Sequence, residues 1–326
     1  MLPFIIRRLL IAIPLLFVSS FLVFVMVANA GVPAPVEAAE LNPRVSEVQR
    51  QATRARFNLD EPILTRYWDW VTDAVKLDLG NDNANKPVWP QIRHGMAVTM
   101  RLVIVSIVCA VAIALLIGVV SALRQYSFFD HASTFSAFLF FSLPVFWFAV
   151  LLKLYGGLKL NAWFGTTFFY TIGHESPTLP DSFFGRLGDY AGHTILPATT
   201  LILVSYAQYS RFTRSSMLDV MSADYVRTAR AKGVSRSRVV IRHGLRNALI
   251  PVTTVIALDF GALFGGTIIT ERVFQWRGMG TIFIDGLLQF DIYKVSGWLL
   301  VTAVIVIVFN ILADIVYAFL DPRIRL

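Results

Sequence analysis

A chain of 326 residues that is 56% hydrophobic and only 15% charged, with a mean hydropathy of +0.63, is too apolar for two soluble domains, where roughly 45–50% apolar and 25% charged residues are usual. Its uncharged runs place the surplus in lipid, and a net charge of +8 carried by the loops between them points to membrane topology rather than nucleic acid. The single cysteine, Cys109, lies inside one of those runs, excludes an internal disulfide and reads as a small buried hydrophobe.

A transmembrane helix needs about 20 apolar residues, and six runs qualify: Leu9–Ala30, Leu102–Leu123, Ala132–Leu152 with Pro144 inside, the shorter Thr194–Ser210, Ala248–Thr270 interrupted by Asp259, and Val295–Ala313. In lipid an open strand leaves its backbone unpaired, so all six are predicted helical. The first imitates a signal peptide, with Arg7 and Arg8 ahead and Ala28-Asn29-Ala30 behind, but its 22 uncharged residues exceed the usual core of about 7–15 and predict a retained helix. Between the fourth and fifth runs lie nine basic residues, Arg211 to Arg246, opposed by Asp219 and Asp224 alone. Placing that loop inside also places Arg7, Arg8, Arg124, Arg323 and Arg325 inside, so both termini are predicted cytoplasmic.

Segment 31–93, with eight basic and nine acidic residues, is the outer piece large enough to fold. It predicts a polar helix over Glu40–Phe57, a turn at Asp60-Glu61-Pro62, and a helix with an apolar stripe at Leu64, Tyr67, Trp68 and Val71. Gly80–Lys86 reads as a polar turn, and Val88–Ile92 as a lead into the second span. Trp68 and Trp70 are expected to anchor the piece at the membrane surface, as a cap or as a docking platform. A second outer loop, 154–192, carries Phe164, Phe168, Phe169 and Tyr170, an aromatic belt or the lip of a gate.

Catalytic signatures are missing. The sequence has no Gly-x-x-x-x-Gly-Lys-Ser/Thr, no clustered Cys/His ligands, no His-Glu-x-x-His and no Gly-x-Ser-x-Gly. Asp259 is the one clear mid-span carboxylate, either lining a pore or bonded between packed helices. Gly261, Gly265 and Gly266 follow it and allow close backbone approach.

The basic loop is the most informative stretch. Asp224-Tyr225-Val226-Arg227-Thr228-Ala229-Arg230-Ala231-Lys232-Gly233 predicts a short helix, with Asp224 at the positive end of its dipole, Lys232 at the negative end and Gly233 in the left-handed position that stops it. Ser235 is placed to cap a second helix through Arg246, leading to Asn247, Leu249 and Pro251 at the mouth of the fifth span. The small Ala229 and Ala231 are expected to slim one face for entry into a groove. Contact with anionic lipid would explain the charge equally well.

This stretch resembles the EAA loop of binding-protein-dependent ABC importer permeases, with Arg227-Thr228-Ala229 at the Glu-Ala-Ala positions, Gly233 as the following glycine, and Leu249-Ile250-Pro251 closing the pattern. Its wording is similar to the dipeptide/oligopeptide subfamily. Leu-Asp-Glu-Pro (59–62), Asp-Leu-Gly (78–80), Ser-Leu-Pro-Val-Phe-Trp (142–147), the runs 211–218 and 261–266, and Asp-Pro-Arg-Ile-Arg (321–325) extend the likeness to the B-type permease over nearly the whole chain. Near Asn29–Pro35 it departs, with Asn-Ala-Gly-Val-Pro-Ala-Pro where the family usually has Ala-Pro-Gly-Asp-Pro.

The resemblance implies an all-α, six-span type I importer permease of the bacterial plasma membrane. It divides the chain into a cytoplasmic start with the first helix (1–30), an extracytoplasmic segment (31–93), a transmembrane domain (94–320) with its coupling loop (211–247), and a cytoplasmic tail (321–326). The implied partners are a homologous second permease, two ABC ATPases that hold the ATP and Mg, an extracytoplasmic peptide-binding protein and the bilayer. No cofactor and no catalysis belong to this chain. Residues 224–233 would couple to the ATPases, Asn247, Leu249 and Pro251 would close the loop, and Asp259, Gly261 and Gly265 are candidates for the pore. Nickel complexes, glutathione or opines are alternative cargoes. An ion-coupled secondary carrier is the alternative of a different class, disfavoured by sparse intramembrane charge and undetected duplicated halves.

Overall fold

The structure is a computed structural model that describes residues 2–320. It leaves out the side chains of residues 2–5, 7, 257, 258, 262, 265, 266, 313, 314 and 316–320, so the expectations for Arg7, Gly265, Gly266 and the 321–326 tail lie outside the described residues. The described chain is all-helical, 79% of it in helix. The helices are α1 (Leu2–Ala30), α2 (Ala34–Leu41), α3 (Glu47–Arg56), α4 (Ile63–Ala74), α5 (Val88–Leu123), α6 (Phe128–Ser142), α7 (Val145–Leu151), α8 (Leu160–Phe164), α9 (Phe183–Ser222), α10 (Asp224–Ala231), α11 (Arg236–Arg238), α12 (Arg246–Phe274), α13 (Met279–Leu288) and α14 (Ile292–Leu320). Two π-helical stretches, Leu152–Lys159 and Val239–Leu245, join α7 to α8 and α11 to α12.

Among the described residues, four stretches can cross a membrane by length and composition: Arg8–Leu41, Val88–Leu123, Val145–Phe164 and Ile292–Leu312. The predicted runs Thr194–Ser210 and Ala248–Thr270 are helical, inside α9 and α12, without being among those four. Three predicted boundaries are corrected, each at a proline or by continuation of a helix. Ala132–Leu152 is not one helix. It breaks at Leu143, whose backbone is extended because Pro144 disfavours helical geometry in the residue before it. Likewise Glu40–Phe57 is divided between α2 and α3 around Asn42-Pro43, and α3 restarts under a capping box in which Ser46 and Gln49 satisfy each other's backbone N–H. Val88–Ile92 is no connector: it forms the first turns of the 36-residue α5.

The chain forms two compact units. The first comprises the chain up to Thr99 with Arg277–Ile307. Its core is aromatic. Tyr67 on α4 is 1% exposed and takes Phe17, Phe21 and Phe24 of α1 edge-on at 5.6, 5.1 and 5.5 Å, while its hydroxyl donates to the Phe17 carbonyl and lies 2.9 Å from Ser20 Oγ. The predicted stripe on α4 is rotated. Arg66, Tyr67, Trp70 and Ala74 are buried, whereas Leu64 and Trp68 are exposed. Trp70 is therefore a core residue and not a surface anchor; its indole N–H donates to the Leu79 carbonyl at 3.3 Å.

The polar turn forms as expected around Asp82, which is 2% exposed. One carboxylate oxygen accepts the backbone N–H groups of Ala84 and Lys86, and the other accepts Gln91 Nε2 and Lys294 Nζ at 3.0 and 3.1 Å. Burial pushes this carboxyl up, but those hydrogen bonds and the Lys294 charge outweigh it, so its pKa lies below the usual value. Asp291, at the start of α14, accepts the backbone N–H of Asn83, which ties the turn to that helix.

The second unit comprises Met100–Trp276 and the chain from Val308 onward. Here α9 packs against α6 and α12, with Tyr206 and Tyr209 of α9 among Ala110 and Ala114 of α5. Gly118 lets α5 approach closely: a Cβ there would sit 2.7 Å from Thr213 and 2.9 Å from the Ser210 carbonyl. The aromatic loop 154–192 is pinned to α9, since Tyr170 stacks on the His193 ring at 4.1 Å and Tyr170 N–H donates to the Gly192 carbonyl.

Candidate functional site

The α10 hairpin is built from its own small core. Val226 and Ala229 are buried against Val239, with Val220, Met221 and Val234 packed around them. Gly233 has φ +77°, the left-handed geometry that stops α10. Gly233 N–H donates to Arg230 O and Val234 N–H to Ala229 O, the paired bonds of a Schellman motif, with Val234 covering the turn. The predicted helix and glycine stop are thus both present.

Two details of the hairpin differ from expectation. Ala229 is 8% exposed and belongs to the hairpin's interior, so it does not slim an outward face; the outward residues are Asp224, Tyr225, Arg227, Thr228, Arg230, Ala231, Lys232 and Gly233. Ser235 stands at the second helix's start without a side-chain capping bond, and that helix does not end at Arg246: it continues through the π-helical stretch into α12. The continuity matters mechanically, because one helical rod joins the hairpin to the whole length of α12. Asn247 contributes a second tie, donating from Nδ2 to the Tyr225 hydroxyl at 3.1 Å and to His243 O at 3.0 Å. Leu249 is half-buried, and Pro251 sits inside α12, exposed.

Asp259 is partly buried and accepts a hydrogen bond from Tyr209 of α9 at 2.7 Å. This bond joins α9 to α12 and is compatible with either reading of the carboxylate. Gly261 lies half-buried two residues on, and Gly265 lies outside the described residues.

Sequence reasoning missed an ion pair between α6 and α9. Asp130 on α6 is 2% exposed and receives Arg214 of α9 in a two-pronged contact, Nε to Oδ1 at 2.6 Å and Nη2 to Oδ2 at 2.7 Å. The Ser121 hydroxyl and the Tyr126 backbone N–H also donate to this carboxylate. Arg214's hydrogen bonds, opposed by burial, hold the Asp130 carboxyl well below the usual carboxylate range. The pair is 84 residues apart in the chain, and no local pattern announces it. The only available signal was two opposite charges, each just outside a predicted span. Arg214's neighbour Arg211 lies over the rings of Phe138 and Phe141 at 4.9 and 4.5 Å. Among the described residues, no group of three or more His, Cys, Asp or Glu side chains is placed to hold a metal.

Residues 114–326 match the family model described as binding-protein-dependent transport system inner membrane component. The chain is 37% identical over 327 residues to the oligopeptide transport system permease protein AppB of Bacillus subtilis, covering all of both chains. It is 38% identical over 320 residues to the oligopeptide transport system permease protein OppB of Mycobacterium tuberculosis, covering 98% of each. With the dipeptide transport system permease protein DppB of Escherichia coli K12 it shares 35% over 338 residues, covering 100% of this chain and 99% of the relative. A crystal structure of an amino acid ABC transporter with histidines aligns over 72% of this chain and 94% of its own at 12% identity and a TM-score of 0.47, which adds nothing to the assignment. With a family model over its C-terminal two thirds and relatives at these identities end to end, the chain belongs to the binding-protein-dependent transport system inner membrane component family.

Proposed function

We propose that this chain is one of two homologous permease subunits of an ATP-driven importer, and that it moves di- and oligopeptides across the bacterial plasma membrane by alternating access. The observation that carries the reading is the end-to-end identity of 35–38% to permeases named for oligopeptide and dipeptide transport. In this reading six spans cross the membrane with both termini inside, segment 31–93 faces outward, and 211–247 faces the cytoplasm. Two ATPase subunits hold ATP and Mg, and an extracytoplasmic binding protein delivers the cargo. The chain itself performs no chemistry.

The residues 224–233 are the contact that differs between states, as a ligand-driven shift requires. Three features of the hairpin support that role: its outward face is exposed, the Schellman turn holds its shape, and its second arm runs unbroken into α12. The test is to reconstitute the assembled transporter with Gly233→Leu and, separately, Tyr225→Ala. A branched side chain in the left-handed region costs roughly 1–2 kcal/mol, and Tyr225→Ala removes the bond from Asn247. Both variants are expected to insert and assemble, with transport reduced about tenfold or more and ATP hydrolysis no longer stimulated by loaded binding protein. Wild-type transport by both would show that coupling lies elsewhere.

A further inference from the structure

Among the groups that the transport reading leaves without a task, one stands out in the first unit. A cavity of about 280 Å³ is lined by Arg56, Arg66, Asp69, Trp70, Asp73 and Tyr293, among others. Arg66 is 7% exposed, yet its Nε has no hydrogen-bond partner, and no ion pair reaches its guanidinium among the described residues. Burial lowers its pKa, a tendency that Tyr293 and Glu61 only oppose. Glu61 acts on it only without ion-pair contact, and a buried guanidinium that no carboxylate touches is costly unless something else supplies the contact.

The other cation of the lining is already engaged: Arg56 Nη2 donates to the carbonyls of Asp82 and Asn83, each at 3.2 Å. Two of the three aspartates are engaged as well. Asp73 pairs with Lys76 at 3.0 Å, and Asp78 accepts the Gly80 backbone N–H. Asp69 is exposed and has no ion pair among the described residues. Among the described residues the cavity therefore presents one buried cation and one exposed carboxylate that make no ion-pair contact, beside Phe57, Trp70 and Tyr293.

We propose that this cavity binds a small zwitterion, an α-amino acid or a short peptide, with its carboxylate on the Arg66 guanidinium and its ammonium toward Asp69. A guanidinium offers a planar fork that matches a carboxylate. The volume stands at the low end of the roughly 300–1,000 Å³ of small-molecule sites, which suits a ligand of that size. The acidic rim disfavours an acidic segment of a docking protein, because Asp69, Asp73 and Asp78 would repel it, whereas a zwitterion answers both signs. The site goes beyond the transport reading, in which cargo arrives on a separate protein, and it rests on the cavity alone.

The test uses the full-length chain in lipid nanodiscs, titrated calorimetrically with L-alanine and with L-alanyl-L-alanine, the two arms that separate amino acid from peptide. Saturable binding of at least one is expected. Masking the carboxylate, as in L-alanyl-L-alanine amide, should weaken binding about tenfold or more, because a charged hydrogen-bonding partner is lost; N-acetylation should weaken it less, since Asp69 is exposed. Arg66→Met should abolish the preference for a free carboxylate, and Arg66→Lys should restore part of it. The thermal midpoint of Arg66→Met should equal or exceed wild type, because an unpaired buried charge has gone, which separates lost binding from lost folding. The proposal is overturned if neither ligand saturates at tens of millimolar, or if the amide and Arg66→Met bind as well as their parents. It is also overturned if no small ligand binds while Arg66→Met weakens docking of a soluble binding protein. Any of these with normal transport leaves the importer reading intact.

Discussion

Asp130→Asn is the sharpest probe of what holds α6 against α9 in the second unit. The substitution keeps the shape of the side chain but removes the charge that Arg214 meets at 2.6 and 2.7 Å, and its amide would turn a donor toward a donor. Breaking a fully buried pair costs roughly 3–5 kcal/mol, and an exposed one about 0–1 kcal/mol. This pair lies between, since the Asp130 side chain is 3% exposed and that of Arg214 28%, so water can still reach the orphaned guanidinium. A loss of about 2–3 kcal/mol is expected, or roughly 5–10 °C in thermal midpoint. The assay is thermal unfolding in detergent of wild type, Asp130→Asn, Arg214→Met and the double variant. The double variant should lose less than the sum of the singles, because no unpaired charge remains.

The pH dependence has a definite sign. The folded-state pKa of Asp130 lies below its ordinary 3.8, so the stabilisation is present above that value and disappears as pH falls through the lower, folded pKa. The gap between wild type and Asp130→Asn should therefore narrow as the medium is acidified below about pH 4. Additive singles, or a single-variant loss under about 1 kcal/mol, would refute the account.

Two further outcomes test the reading of the whole chain. In a Cys109→Ser background, a cysteine at position 60 should react with an impermeant maleimide in intact cells, and one at position 236 only after permeabilisation; labelling at 236 in intact cells would reverse the topology. The purified chain alone should bind no nucleotide, because it lacks a phosphate-cradling glycine loop, and saturable binding of ATP by this chain without partners would contradict its role as a permease.

The membrane character, the helical class and the α10 hairpin were legible from sequence, because each depends on neighbours within a turn or two of the chain. Apolar length decides a span, and the need for a left-handed stop places Gly233 where its φ is +77°. The family was legible for a related reason: its motifs are short and spread along the entire chain. Tertiary structure decided what depends on partners far away in sequence. The face of α4 that turns inward is set by the rings of α1, so Trp70 is buried and Trp68 is not. Ala229 faces inward because Val239, on the far arm of the hairpin, offers it a surface. Asp130 and Arg214 meet only because α6 and α9 pack together, and Arg66 is left with an unbonded Nε only because the walls around it close over its side chain. Periodicity states which residues share a face; it does not state which face the rest of the protein covers.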